Sequence, residues 1–133
     1  MELLQIGVIH SPFRTPEEAP RQGVYTEEIS TIEVFAEFAP ALKGLESFAH
    51  LIVLYWADRA ARDVLKSRRH EQHGEDRGVF ASRSPARPNP ICLSVCEVVR
   101  IEGNRIKVRG LEALDHSPLL DIKPFIRELD CPR

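Results

Sequence analysis

Three short segments carry the residues able to do chemistry. Residues 78–95, GVFASRSPARPNPICLSV, set Arg83 and Arg87 in a stretch stiffened by Pro85, Pro88 and Pro90. A guanidinium offers a planar fork of donors that matches carboxylates, phosphates or base edges. Prolines around it fix φ and lower the ordering cost of holding such a ligand. A structural loop with solvated arginines is the plain alternative. The second segment, Leu114-Asp115-His116-Ser117-Pro118, precedes Asp121-Ile122-Lys123-Pro124. Asp115 and Ser117 can hydrogen-bond a ribose, an amino group or an adenine edge, or can simply stabilise a turn. The third, Pro20-Arg21-Gln22, ends an early loop punctuated by Pro12 and Pro16. Its Arg and Gln can read a polar ligand, though exposed loops commonly contain both.

What is missing narrows the field. No two of the seven glycines form GxG, so neither the dinucleotide fingerprint nor the phosphate-binding P-loop is present. A GxSxG elbow and an HExxH helix are also absent. His70 and His73 stand three apart in HEQH, but Gly74 and the all-polar surroundings read as a solvated loop, and no metal is expected. Cys92, Cys96 and Cys131 are odd in number and contain no CxxC. That suits a reducing, cytoplasmic setting better than a disulfide framework or a cysteine-rich zinc site. The balance of 18 basic against 20 acidic residues, net −2, excludes a protein held to nucleic acid by bulk charge. It leaves room for a local basic patch. No apolar run is long enough to span a bilayer, and the N-terminus lacks the basic start of a secretory signal.

The elements that must position these segments are mostly strands. Residues 3–10 alternate apolar and polar positions, and 51–56 (LIVLYW) read as a buried strand. A short strand is expected at 78–83. Residues 91–101 repeat apolar side chains at period two, and Glu102-Gly103-Asn104 supplies the turn to a partner strand at 105–110. On that partner Ile106 and Val108 face one way, and Arg105, Lys107 and Arg109 the other. Residues 57–69 and 36–42 suit short helices, and 70–77 a polar surface loop. At 133 residues the chain fits one domain. Many short strands with proline-rich connections indicate a mainly β barrel or sandwich.

Taken in order, PRQ, GLESFAHLIVLYW, GVFASRSPARPNPICLSV and GLEALDHSPLLDIKPF resemble the TrmO (YaeB-like) family, from IGVIHSPF at residues 6–13 to DIKPF at 121–125. The resemblance implies a small single-domain β-barrel with short helices spanning 1–133, and dependence on S-adenosyl-L-methionine. It implies methylation of N6 on a threonylcarbamoyl-modified adenosine next to the tRNA anticodon, by a homodimer with the cofactor pocket near the subunit interface. Carried over by position, Pro20, Arg21 and Gln22 match one cofactor segment, and Asp58 and Arg59 a second, where the family often has His-Gln. Arg83 matches the motif arginine, Leu93 the apolar residue after PNPI, and Leu114, Asp115, His116 and Ser117 the family's L/V-D-G-T. Cys92 stands where the family usually has glycine. Many bacterial relatives continue past the DIKPF block into a C-terminal domain that this chain lacks.

The implied reaction is displacement of a sulfonium-bound methyl by adenine N6, driven largely by alignment and charge placement. Asp115 is then expected to orient the acceptor or take its proton, with Arg83 and Lys123 managing charge. Arg87, Lys66, Arg68 and Arg69 are candidate RNA phosphate contacts. Arg105, Lys107 and Arg109 fit a solvated strand face better. The alternatives are methyl transfer to a small molecule or other acceptor, and a non-catalytic barrel that only binds the cofactor.

Overall fold

The computed structural model describes residues 1–68 and 76–133. Its strands in chain order are β1 (Gly7–His10), β2 (Ile29–Val34), β3 (His50–Trp56), β4 (Lys66–Arg68), β5 (Asp76–Gly78), β6 (Ile91–Glu102), β7 (Arg105–Arg109) and β8 (Ser117–Pro124). Alternate residues of six of them are removed from water: Ile9 on β1, Ile32 and Val34 on β2, and Leu51, Val53 and Tyr55 on β3. Cys96 on β6, Ile106 and Val108 on β7, and Leu119 on β8 complete the set. A strand with one apolar face must pack it, and these six do so by closing on themselves in the order β1-β2-β7-β6-β3-β8, every pair antiparallel. Closure gives every barrel strand two neighbours, and an interior this small is filled by side chains. The mainly β barrel expected from the sequence is the fold observed.

Antiparallel closure also decides where the connections go. Successive strands run in opposite directions, so residues 11–28, 57–90 and 110–116 all leave the barrel at one end. The two-residue turn Gly103-Asn104 and the short 3-10 segments Ala36–Leu42 and Leu45–Ser47 sit at the other. Both proline loops and the segment before β8 therefore share one rim. On the barrel wall below it, His10 donates from Nε2 to Glu33 (2.8 Å), and Arg105 stands 3.4 Å away. The His10 bond chiefly, with a lesser contribution from Arg105, holds the Glu33 carboxyl below its ordinary value despite the opposing effect of desolvation.

Several local expectations change. The helix expected over 57–69 does not form; residues 57–63 make turns and the chain then enters β4. Backbone carbonyls a helix needs are taken by the facing loop, as where Ala61 accepts from the Arg87 N–H (3.1 Å). The strand expected at 78–83 stops at Gly78, and Val79–Ala81 form a 3-10 turn. Residues 36–42 are a 3-10 segment, and the 91–110 hairpin forms as expected. Most of the polar stretch 70–77 lies outside the described residues, although Asp76–Gly78 pair with Lys66–Arg68 as a ribbon apart from the barrel. Two barrel strands, β2 and β8, were not anticipated.

Ser30 points into the core at 1% exposure, and its hydroxyl has no hydrogen-bond partner among the described residues. An orphaned buried hydroxyl costs about 1–3 kcal/mol of desolvation. Ser30→Ala should therefore raise the urea midpoint, by about 1 kcal/mol at an unchanged m-value. A loss of stability would show that the hydroxyl has a partner.

Candidate functional site

The three rim connections enclose a cavity of about 760 Å³, within the range of roughly 300–1,000 Å³ that small-molecule sites occupy. Its floor is the end of β3 and the start of β6, where Tyr55 and Cys92 face each other across the ladder. Gln22, Ala57, Ser82 and Glu112 stand in its walls. The early loop reaches segment 110–112 because residue 23 is glycine. A Cβ there would overlap the Gly110 carbonyl oxygen and come within 2.6 Å of Glu112 Oε2.

Arginines hold the rim together. Arg87 donates from Nη1 to the carbonyls of Ser82 (3.0 Å) and Ser84 (2.9 Å), and from Nη2 to that of Val79 (2.8 Å). Its guanidinium closes the turn after β5 on itself. Arg62 lies over the Trp56 ring, 5.1 Å from its centroid, and donates to Pro88 O (2.8 Å) and Asn89 Oδ1 (3.2 Å). Arg59 spans two connections, reaching Arg14 O (3.0 Å) and Asp115 O (2.6 Å). Charge-assisted bonds to carbonyls are among the stronger hydrogen bonds in proteins, and these fasten loops that carry little core of their own.

Arg83 differs. It lines the cavity, is exposed, and makes no hydrogen bond or ion pair among the described residues. Opposite in charge is Glu112, whose Oε2 accepts from the Ser94 hydroxyl (2.7 Å). That bond fixes the carboxylate and leaves Oε1 for a ligand. Burial first, then Glu112, pushes Cys92 up to about 11. At neutral pH about one thiol in ten thousand is then ionised, so Cys92 is a poor nucleophile. Burial raises Tyr55 as well, keeping its phenol protonated.

The structure gathers most of the residues expected at a cofactor site. Pro20, Arg21 and Gln22, then Asp58 and Arg59, then Arg83, Leu93, Leu114 and Ser117 all line this one cavity. Three expectations need correction. Asp115 and His116 do not line it: Asp115 Oδ1 accepts from the Ser11 N–H (2.9 Å), and its Oδ2 faces His116 Nε2 at 3.3 Å. Lys123 is at the wrong end of the barrel, six residues down β8 from Ser117, or about 20 Å at strand rise, and paired with Asp121 (3.2 Å). Arg87, expected on phosphate, is spent on carbonyls. Lys66 is exposed at the start of β4, Arg68 ends that strand, and Arg69 lies outside the described residues. On β7, Arg105 and Arg109 meet Glu33 and Glu97 (2.8 Å to Arg109), as a solvated strand face would. Sequence reasoning missed Glu112 and Arg62, which no motif marks; only the position of Glu112 two residues before Leu114 hinted at it.

The model of the tRNA-methyltransferase O N-terminal domain matches residues 8–131. The chain belongs to this family. Among TrmO-family relatives, it is 50% identical over 131 residues to an S-adenosyl-L-methionine-binding protein of Archaeoglobus fulgidus, covering 98% of this chain and 94% of that one. It is 32% identical to a human tRNA (adenine(37)-N6)-methyltransferase over 96% of its own length, but spans only 31% of the human protein. The crystal structure of TrmO from Pseudomonas aeruginosa superposes with a TM-score of 0.82 at 31% identity, over 99% of this chain and 59% of that one. In this TrmO-family barrel, the glycine position of the L/V-D-G-T segment is His116, and its φ of 68° shows why a glycine suits it.

Two arginines of one loop thus have separable effects on stability. Removing Arg87 takes the donor from the Ser82 and Ser84 carbonyls, while that of Val79 keeps the Ser82 N–H, and Arg87→Ala should cost about 2 kcal/mol in urea denaturation. Arg83→Ala should stay within about 0.5 kcal/mol of the parent. Equal losses from both would contradict the division.

Proposed function

We propose that this protein is an S-adenosylmethionine-dependent methyltransferase acting on N6 of a threonylcarbamoyl-modified adenosine next to a tRNA anticodon. The single observation carrying the cofactor reading is the convergence of three sequence-distant segments on one cavity that holds an unpaired guanidinium and a fixed carboxylate. The donor set suits the group. Arg83 matches the carboxylate of the methionine tail, Glu112 and Asp58 the cationic amino group and sulfonium, and Leu93, Leu114 and Tyr55 the adenosine faces. Bound there, the cofactor supplies a sulfonium-activated methyl group.

The chain's own work is alignment. Glu112, held by Ser94, and Arg83, on a loop backbone tied down by Arg87, set opposite charges in one cavity, and a site preorganised in this way lowers the barrier with less reorganisation at the moment of transfer. Cys92, held protonated by burial, would not serve as a methyl-accepting thiolate there. Asp115 acts as a positioning residue. By accepting from Ser11 N–H, and through its backbone carbonyl from Arg59, it fixes the loop that presents Leu114 and Ser117. Lys123 takes no part in the transfer.

For the acceptor, the human relative's name supports tRNA. The ribbon β4–β5 is continuous with the Arg83 loop and offers Lys66 and Arg77 to phosphate, with Arg68 ending β4 and Arg69 following in sequence. A second copy of the chain covers the exposed apolar side chains beside the cavity. Leu93 is 42% and Phe80 85% exposed, and the half of β6 carrying Leu93 pairs only with β3. The homodimer works in the cytoplasm.

Calorimetric titration of the protein with S-adenosylmethionine should give one site per chain, weakened at least tenfold by Arg83→Ala. Tritium transfer from the labelled cofactor should appear in tRNA carrying the threonylcarbamoyl group and fall steeply with salt. Turnover on small acceptors without RNA would replace the tRNA reading, and tight binding without any transfer would leave a cofactor-binding barrel.

A further inference from the structure

Just outside the cavity, a second group of side chains meets on the same rim. His10 ends β1, while Asp115 and His116 close the loop before β8, and one ligand atom from each lies within 4.8 Å of the other two. Asp115 Oδ2 and His116 Nε2 are 3.3 Å apart, about the edge of a tetrahedron whose ligands stand roughly 2.1 Å from a zinc ion. The imidazoles of His10 and His116 meet edge to face, with centroids 5.9 Å apart.

The surroundings already hold these ligands as a metal would require. Asp115 Oδ1 is occupied by the Ser11 N–H, which orients the carboxylate and leaves Oδ2 available. His10 Nε2 faces the Glu33 carboxylate at 2.8 Å. A ring nitrogen opposite a carboxylate is a donor, so the neutral imidazole carries its lone pair on Nδ1. A carboxylate behind a ligating histidine is the usual way its tautomer and orientation are fixed.

The backbone supplies an independent observation. His116 is the only non-glycine residue with positive φ among those described, at 68°. The left-handed conformation costs a side-chain-bearing residue roughly 1–2 kcal/mol. Strain retained where glycine would relieve it marks a side chain with a task, and here it delivers an imidazole to within 3.3 Å of a carboxylate.

We propose that His10, Asp115 and His116 form a Zn²⁺ site. Two imidazoles and one carboxylate suit zinc and its transition-metal neighbours, whereas magnesium and calcium prefer all-oxygen shells. The fourth position opens to solvent, since the His116 side chain is 74% exposed. The ion ties the end of β1 to residues 110–116, the segment that presents Leu114 to the cofactor cavity. The site depends on this chain's His116.

The test is calorimetry of the tag-free protein with ZnCl₂ in a non-coordinating buffer, beside thermal melts with and without zinc. The parent should bind one zinc per chain and melt higher with it, as any ligand specific to the native state requires. His116→Gly removes the imidazole and relieves the backbone, so it should fold at least as stably without zinc while binding at least tenfold more weakly. The double variant His70→Ala/His73→Ala should bind like the parent. Undiminished binding by His116→Gly, or binding lost in the His70/His73 variant, would overturn the proposal.

Discussion

The alternation of strand direction in a closed antiparallel barrel governs everything functional in this chain. Six strands bury one face each only by closing, and closing sends the three long connections to the same rim. These connections bury only a few apolar side chains, such as Phe13, Val79 and Leu111. The arrangement is instead secured by guanidinium groups bonded to backbone carbonyls, which satisfy acceptors that a proline-rich loop cannot pair with its own N–H groups. Arg59, Arg62 and Arg87 each bridge parts of the rim that no strand connects.

That use of arginine explains why residue type alone is a poor guide to role here. Arg83 and Arg87 sit four residues apart in one motif, yet one faces the cavity without a partner and the other is consumed by three carbonyls. The rigid one makes the exposed one useful, because a guanidinium on a fixed backbone loses less freedom when it binds. A parallel division holds between Glu112, which faces the cavity on a serine bond, and Asp115, which faces away and orders the loop.

The barrel class was legible from period-two patterns, and the 91–110 hairpin from its Gly-Asn turn. The strands that were missed had their signals disguised. β8 carries Pro118 and Pro124, which argue against a strand, but they lie next to its start and at its end, where a missing N–H costs least. On β2 the inward series begins with Ser30, so its alternation is weaker than in LIVLYW. Residues 57–69 have the composition of a helix, but the backbone of the facing loop takes the Ala61 carbonyl that a helix would use. The segments that line the cavity were singled out by family resemblance, and their convergence follows from the topology. Glu112 was not, because a single acidic residue becomes informative only when folding brings it into the cavity that Arg83 also lines. The His10 cluster was illegible for the same reason, joining residues from opposite ends of the chain.

The central claim is that the rim cavity is the cofactor site and that its opposite charges read the cofactor. A crystal structure with S-adenosylhomocysteine tests it most directly. The account predicts the ligand inside the cavity, its carboxylate on Arg83 and its amino group toward Glu112. A ligand bound anywhere else on the barrel, or seated in the cavity with neither residue within hydrogen-bonding distance, would contradict it.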